Sequence, residues 1–166
     1  MDVARILRPE SVRREAEVGS KKLALDLLSQ TLADTSDGLT ASEVLEGLVS
    51  RERLGSTGLG ESVAMPHARV KGVEESVGAF LRLDEPVDYD SVDGQPVDLL
   101  FGVLVPEECS DAQINEIREL IQRLREPALQ QQLREATDAT ELYNLLTDSL
   151  TVIRRRQQLT PPGSCA

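Results

Sequence analysis

The chain is poor in aromatic residues and has few side chains that could ligate a soft metal. Its 166 residues include no tryptophan, two tyrosines, two phenylalanines, one histidine and two cysteines. Base stacking needs aromatic faces, and neutralising a phosphate backbone needs clustered Lys and Arg. Here 18 basic residues stand against 29 acidic ones, a net charge of −11 with the histidine neutral, so nucleic acid is not an expected partner. Cys109 and Cys165 are far apart and form no disulfide framework, and with a single histidine they cannot build a thiolate- or histidine-rich zinc site. No metal or other cofactor is expected. The longest apolar run, Leu99 to Val105 with Gly102 inside it, falls well short of the roughly 20 residues of a spanning helix. The opening MDVARILRPE carries charges where a signal peptide would be apolar. The expectation is therefore a soluble protein of the reducing cytoplasm, with no membrane insertion.

What is present is enough for one domain: 40% of the residues are hydrophobic, and without tryptophan the core must be largely aliphatic. Leu23, Leu27, Leu28 and Leu32 recur at helical spacing after a capping Ser20. Thr40-Ala-Ser-Glu43 has the form of a capping box, and Val44, Leu45 and Leu48 follow it as an apolar stripe that predicts a helix to about Arg51 or Arg53. The glycines at 55, 58 and 60 end that helix in a loop. Ser62 to Met65 then reads as a short strand stopped by Pro66, which puts His67 at a strand end. Residues 78–83 and 97–105 read as strands, the second apolar enough to be central. The acidic stretch 84–96 between them reads as a polar connector with one extended piece through Val87 to Val92. Helices are predicted after Ser110, from Glu126-Pro127 through Leu133, and after Asp138. Together these predict a single α/β domain over residues 1–150, a small mixed or mostly parallel sheet with helices on both faces. Residues 151–166 lack any core-building pattern and are predicted to form a flexible tail.

The chemistry concentrates in Arg51-Glu-Arg-Leu-Gly-Ser-Thr-Gly-Leu-Gly-Glu-Ser-Val-Ala-Met-Pro-His67-Ala68. An imidazole on fixed backbone is substantially neutral at cell pH and is a competent nucleophile towards phosphorus. Glycines let backbone N–H groups approach an anion, and Arg51 and Arg53 on the last helical turn could fold over the same spot. Arginine beside a transferring phosphoryl group stabilises its charge, and little else beyond positioning is required. The combination points to a phosphohistidine carrier, although a histidine after proline is by itself more often an ordinary loop residue.

The run Gly60-Glu-Ser-Val-Ala-Met-Pro-His67-Ala68 resembles the active-site signature of the enzyme IIA components of the bacterial phosphotransferase system, fructose/mannitol type. The likeness extends over roughly residues 5–148, through Arg51 to Thr57 upstream and through 84–94 and 98–108 downstream. Within the family the chain is most similar to the nitrogen-related branch. The resemblance implies that His67 takes a phosphoryl group from an HPr-like carrier protein, as tele-phosphohistidine, with no cofactor. It implies that Arg51 is the active-site arginine and Thr57 a loop residue beside it, with Ser56 a secondary candidate. Many relatives have a second histidine where this chain has Gln113, which can donate a hydrogen bond but cannot titrate. Gln113 also has a full structural account as the capping partner of Ser110.

Two functions follow from the likeness. In one, phosphorylation of His67 adds charge and switches docking to regulatory targets such as transporters or sensor kinases, in nitrogen or potassium regulation. In the other, the chain passes phosphate to a sugar-specific IIB domain for fructose- or mannitol-type uptake. The absence of a IIB-like cysteine loop and of a membrane domain from this sequence favours the first.

Overall fold

A computed structural model describes residues 3–148, and the tail expected over 151–166 lies outside them. The central strand is β6, Val97–Pro106, and its near-continuous apolar sequence follows from burial on both faces. Leu99, Phe101, Val103 and Val105 point to one layer of the core, Leu100 and Leu104 to the other. Helix α2 (Lys21–Asp34) and helix α3 (Ala41–Glu52) cover the second layer with Ala24, Leu28, Leu32, Val44 and Leu48. The first layer is closed by the short α1 (Val3–Ile6), by α4 (Asp111–Leu124), by α5 (Pro127–Glu135) and by a last helix over residues 139–148 that contributes Leu142 and Leu146. Each fully buried leucine in these layers contributes about 1.5–3 kcal/mol by leaving water. The expected α/β domain with helices on both faces is therefore the one observed.

The sheet is mixed and mostly parallel. Strand β5 (Val77–Val87) runs antiparallel to β6. On its other edge lies β1 (Val12–Glu15), parallel to it. On the far side of β6, β3 (Val63–Ala64) and β4 (His67–Val70) are both parallel to it, and β2 (Gly58–Gly60) is antiparallel to β3. The sequence signal missed β1 because Val-Arg-Arg-Glu has one core residue, Val12, and no alternation. The extended segment of the acidic stretch also differs from expectation. Strand β5 continues through Pro86 to Val87 across a register shift, and residues 88–96 form a loop rather than an extended run to Val92.

Capping follows the sequence closely. Ser20 Oγ accepts from Leu23 N–H at 3.2 Å, Thr40 Oγ1 from Glu43 N–H at 3.2 Å and Ser110 Oγ from Gln113 N–H at 3.2 Å. Arg82 on β5, only 4% exposed, donates to the carbonyls of Leu133, Arg134 and Ala136, and so ties the C-terminal end of α5 to the sheet.

Candidate functional site

His67 does not close a strand; it opens one. Ala64 pairs with Leu100 and His67 with Val103, so three residues elapse on each side and the register carries through Met65-Pro66 without a bulge. Pro66 has no N–H, which interrupts the ladder, but its carbonyl still accepts from Val103 N–H at 3.0 Å. The backbone at His67 is thus laddered on one side to the central strand β6.

The ring folds back so that Nδ1 lies 2.9 Å from the Met65 carbonyl oxygen. A carbonyl can only accept, so Nδ1 carries the proton and Nε2 is left with its lone pair. Burial lowers the imidazole below its ordinary 6.5; the Met65 bond opposes that shift, Arg51 adds to it, and Glu52 opposes it. The ring is therefore neutral at pH 7 and nucleophilic at Nε2.

Arg51 sits on the last turn of α3, and its Nη1 donates to Gly55 O at 2.9 Å. The expected cradle of backbone donors is not open in this state. Gly55 N–H donates to Glu52 O at 3.1 Å, Thr57 N–H to the Glu52 carboxylate at 3.2 Å, and Gly58 N–H to Ser56 Oγ at 3.1 Å. The guanidinium of Arg51 is near enough for its positive charge to lower the basicity of His67.

The structure brings Thr57 and Ser56 to the same place in a supporting role. Thr57 is buried, its hydroxyl donates to Glu52, and its carbonyl accepts from Met65 N–H at 3.0 Å, one residue before Pro66. Ser56 Oγ donates to Tyr89 O at 3.4 Å. Gln113 is the capping partner of Ser110: its Oε1 accepts from Ser110 N–H at 2.9 Å, and among the described residues no hydrogen bond joins it to His67.

The sequence reading missed Glu52, Tyr89 and Lys21. Tyr89 has no exposure at all, and its hydroxyl donates to Glu52 Oε1 at 3.1 Å. Burial, and then the adjacent Glu52 charge, push its ionisation far above the usual tyrosine range, so it remains a donor. Lys21 Nζ lies 2.9 Å from Glu52 Oε2 and 4.5 Å from the centre of the Tyr89 ring. The available signal was Tyr89 itself, an aromatic among Asp88, Asp90 and their acidic neighbours that had to be buried somewhere. Ser91 packs so closely on Gly58 that a Cβ there would lie 2.2 Å from Ser91 Oγ. The acidic loop 88–96 is thus a buttress of the site as well as a solvated surface.

The β2–β3 turn is pinned from three directions. Glu61 and Ser62 adopt positive φ of 56° and 67°. Asp93 accepts from Glu61 N–H at 2.9 Å, Arg134 donates to Glu61 O at 2.9 Å, and Arg125 donates to Leu59 O at 3.0 Å. Among the described residues no group of His, Cys, Asp and Glu could hold a metal ion, and no helix is long and apolar enough to cross a membrane.

This fold, with one histidine presented at an interrupted strand, belongs to a defined class. Residues 5–149 match the model of the family described as phosphoenolpyruvate-dependent sugar phosphotransferase system, EIIA 2, and the chain belongs to that family. A Nitrogen regulatory protein of Pseudomonas aeruginosa is 40% identical over 130 residues, 78% of this chain and 84% of its own length. A protein of the same name from Escherichia coli is 34% identical over 150 residues, 90% of this chain and 91% of its own. Among solved structures, the Nitrogen Regulatory Protein IIA-Ntr from Neisseria meningitidis superposes with a TM-score of 0.81 at 37% identity, covering 87% of this chain and 99% of that one.

Proposed function

We propose that the protein is a phosphohistidine carrier of a nitrogen-related phosphotransferase system, working in the cytoplasm, and that its phosphorylation state controls docking to protein targets. The supporting observation is the 2.9 Å contact between His67 Nδ1 and the Met65 carbonyl: the carbonyl can only accept, so the proton is on Nδ1 and the lone pair on Nε2, on a ring that is neutral at pH 7. The donor is a phosphohistidine on an HPr-like protein. Its P–N bond breaks as the P–Nε2 bond of His67 forms, and the donor imidazole leaves with the bonding pair. The His67 ring becomes cationic as it attacks, and its proton stays on Nδ1, hydrogen-bonded to the Met65 carbonyl. Arg51 is the group suited to the phosphoryl charge: its guanidinium is held at one nitrogen by Gly55 O, and its charge already acts on the His67 ring. Thr57 and Ser56 hold the loop in place, and Gln113 serves α4.

A regulatory output is favoured over sugar uptake because relatives at 34–40% identity that match over most of their own length are named nitrogen regulatory proteins. The test is incubation with phosphoenolpyruvate, enzyme I and the HPr-like carrier, followed by addition of a sugar-specific IIB acceptor. Acid-labile label that accumulates and stays on the protein supports the regulatory reading, whereas rapid onward transfer to IIB supports the sugar reading. No label on the wild type overturns both.

A further inference from the structure

Four donors converge on the side chain of Glu52, the residue that follows Arg51. The Glu52 side chain is 7% exposed and receives Lys21 Nζ at 2.9 Å, Tyr89 OH at 3.1 Å, Thr57 N–H at 3.2 Å and the Thr57 hydroxyl. These donors come from three separate parts of the chain: the first turn of α2, the loop after α3 and the loop after β5. A carboxylate placed here is costly to bury and would repel an incoming phosphoryl group, so a mere space-filling role is a poor explanation for it. Lys21 offsets its charge, and its four donors leave it little freedom to move.

Its position in sequence adds to this. Glu52 directly follows Arg51, and the loop it anchors returns within three residues to Gly55, whose carbonyl holds the Arg51 guanidinium. Thr57, fastened to Glu52, accepts in turn from Met65, whose own carbonyl orients His67. Both the arginine and the imidazole are therefore placed through groups bound to one carboxylate. We propose that Glu52 is the positioning residue of the site, fixing loop 55–58, and with it Arg51 and the His67 ring, in the geometry for transfer, with Lys21 as its counter-charge and Tyr89 as its buried donor. The proposal rests on the phosphocarrier reading. It is consistent with Glu52 opposing the fall in His67 basicity that burial and Arg51 produce.

Full-length Glu52→Gln tests it, because the substitution keeps the shape but removes the charge and turns one oxygen into a donor facing other donors. Phosphorylation by the phosphorylated HPr-like carrier should fall at least about tenfold at saturating donor, with the half-saturating donor concentration within about twofold of wild type, since small misplacements of reacting groups cost up to about 100-fold. The His67 titration, followed by NMR on the unphosphorylated protein, should move to lower pH. Glu52→Asp, which restores the charge with a shorter reach, should return the titration to the wild-type position while leaving the rate reduced. A merely structural residue would lower the melting temperature without this split. If Glu52→Gln does not fold, Tyr89→Phe removes one donor from the carboxylate while keeping the ring, and should slow saturated transfer about threefold. A wild-type saturated rate in the folded variant overturns the proposal alone, and a wild-type protein that takes no label overturns the functional reading and the proposal with it.

Discussion

His67 Nδ1 lies 2.9 Å from the carbonyl oxygen of Met65, two residues earlier, and this one bond decides which ring nitrogen can react. Because Nδ1 is committed as a donor, the phosphoryl group is expected on Nε2. Two-dimensional ¹⁵N–¹H NMR of the phosphorylated protein should show phosphorus coupled to Nε2 and a retained proton on Nδ1. Phosphorylation at Nδ1 would mean that the ring turns over before reacting.

The pH dependence follows from the direction of the His67 shift. Burial lowers its midpoint below 6.5, so the neutral ring dominates at pH 7 and the transfer rate should be flat from there upward. As pH falls through the lowered midpoint, Nε2 gains a proton and the rate should drop. Stability carries the same sign: between the two midpoints the folded state binds fewer protons than the unfolded chain, so the contribution of His67 to stability is lost as pH falls. Melting curves of the wild type and His67→Gln between pH 7.5 and about 5 should diverge on that account, the variant losing less.

Gly58 is required by its neighbour rather than by its own backbone. A Cβ there would meet Ser91 Oγ at 2.2 Å and Ser91 Cβ at 2.9 Å. Gly58→Ala should therefore cost about 1–3 kcal/mol in urea unfolding, as overpacking of a close contact does. The double change Gly58→Ala with Ser91→Gly should recover most of it, and equal losses in the single and double variants would contradict the contact.

Gln113 separates a capping role from a role in transfer. Gln113→Ala removes the acceptor of Ser110 N–H and should cost about 0.5–1 kcal/mol, in the range of a lost cap, with the phosphorylation rate unchanged. A large fall in rate would instead give Gln113 a direct part in transfer.

Much of this was legible in the sequence for identifiable reasons. Leucines at helical spacing in α2, and a run as apolar as Leu99 to Val105, have few ways to be buried, and the caps at Ser20, Thr40 and Ser110 marked the helix starts. The expected helical pairs on both faces followed from those patterns. Strand β1 was not legible because Arg13, Arg14 and Glu15 owe their conformation to pairing with β5, which is information carried by residues far away in the chain. The break at Met65-Pro66 was visible, but not that the register would survive it and begin again at His67. Arg51 and His67 stood out because an arginine and the single histidine flank a glycine-rich loop. Glu52 did not, because a glutamate at a helix end is ordinary until Lys21, Thr57 and Tyr89 are seen to converge on it.

In the proposed carrier, His67 is the residue that accepts the phosphoryl group. The most direct measurement is transfer of ³²P from phosphoenolpyruvate through enzyme I and the HPr-like carrier to wild type and to His67→Ala, with both proteins shown to be folded. Stoichiometric, acid-labile label is expected on the wild type and none on the variant; label that persists on His67→Ala would mean that another residue accepts the phosphoryl group.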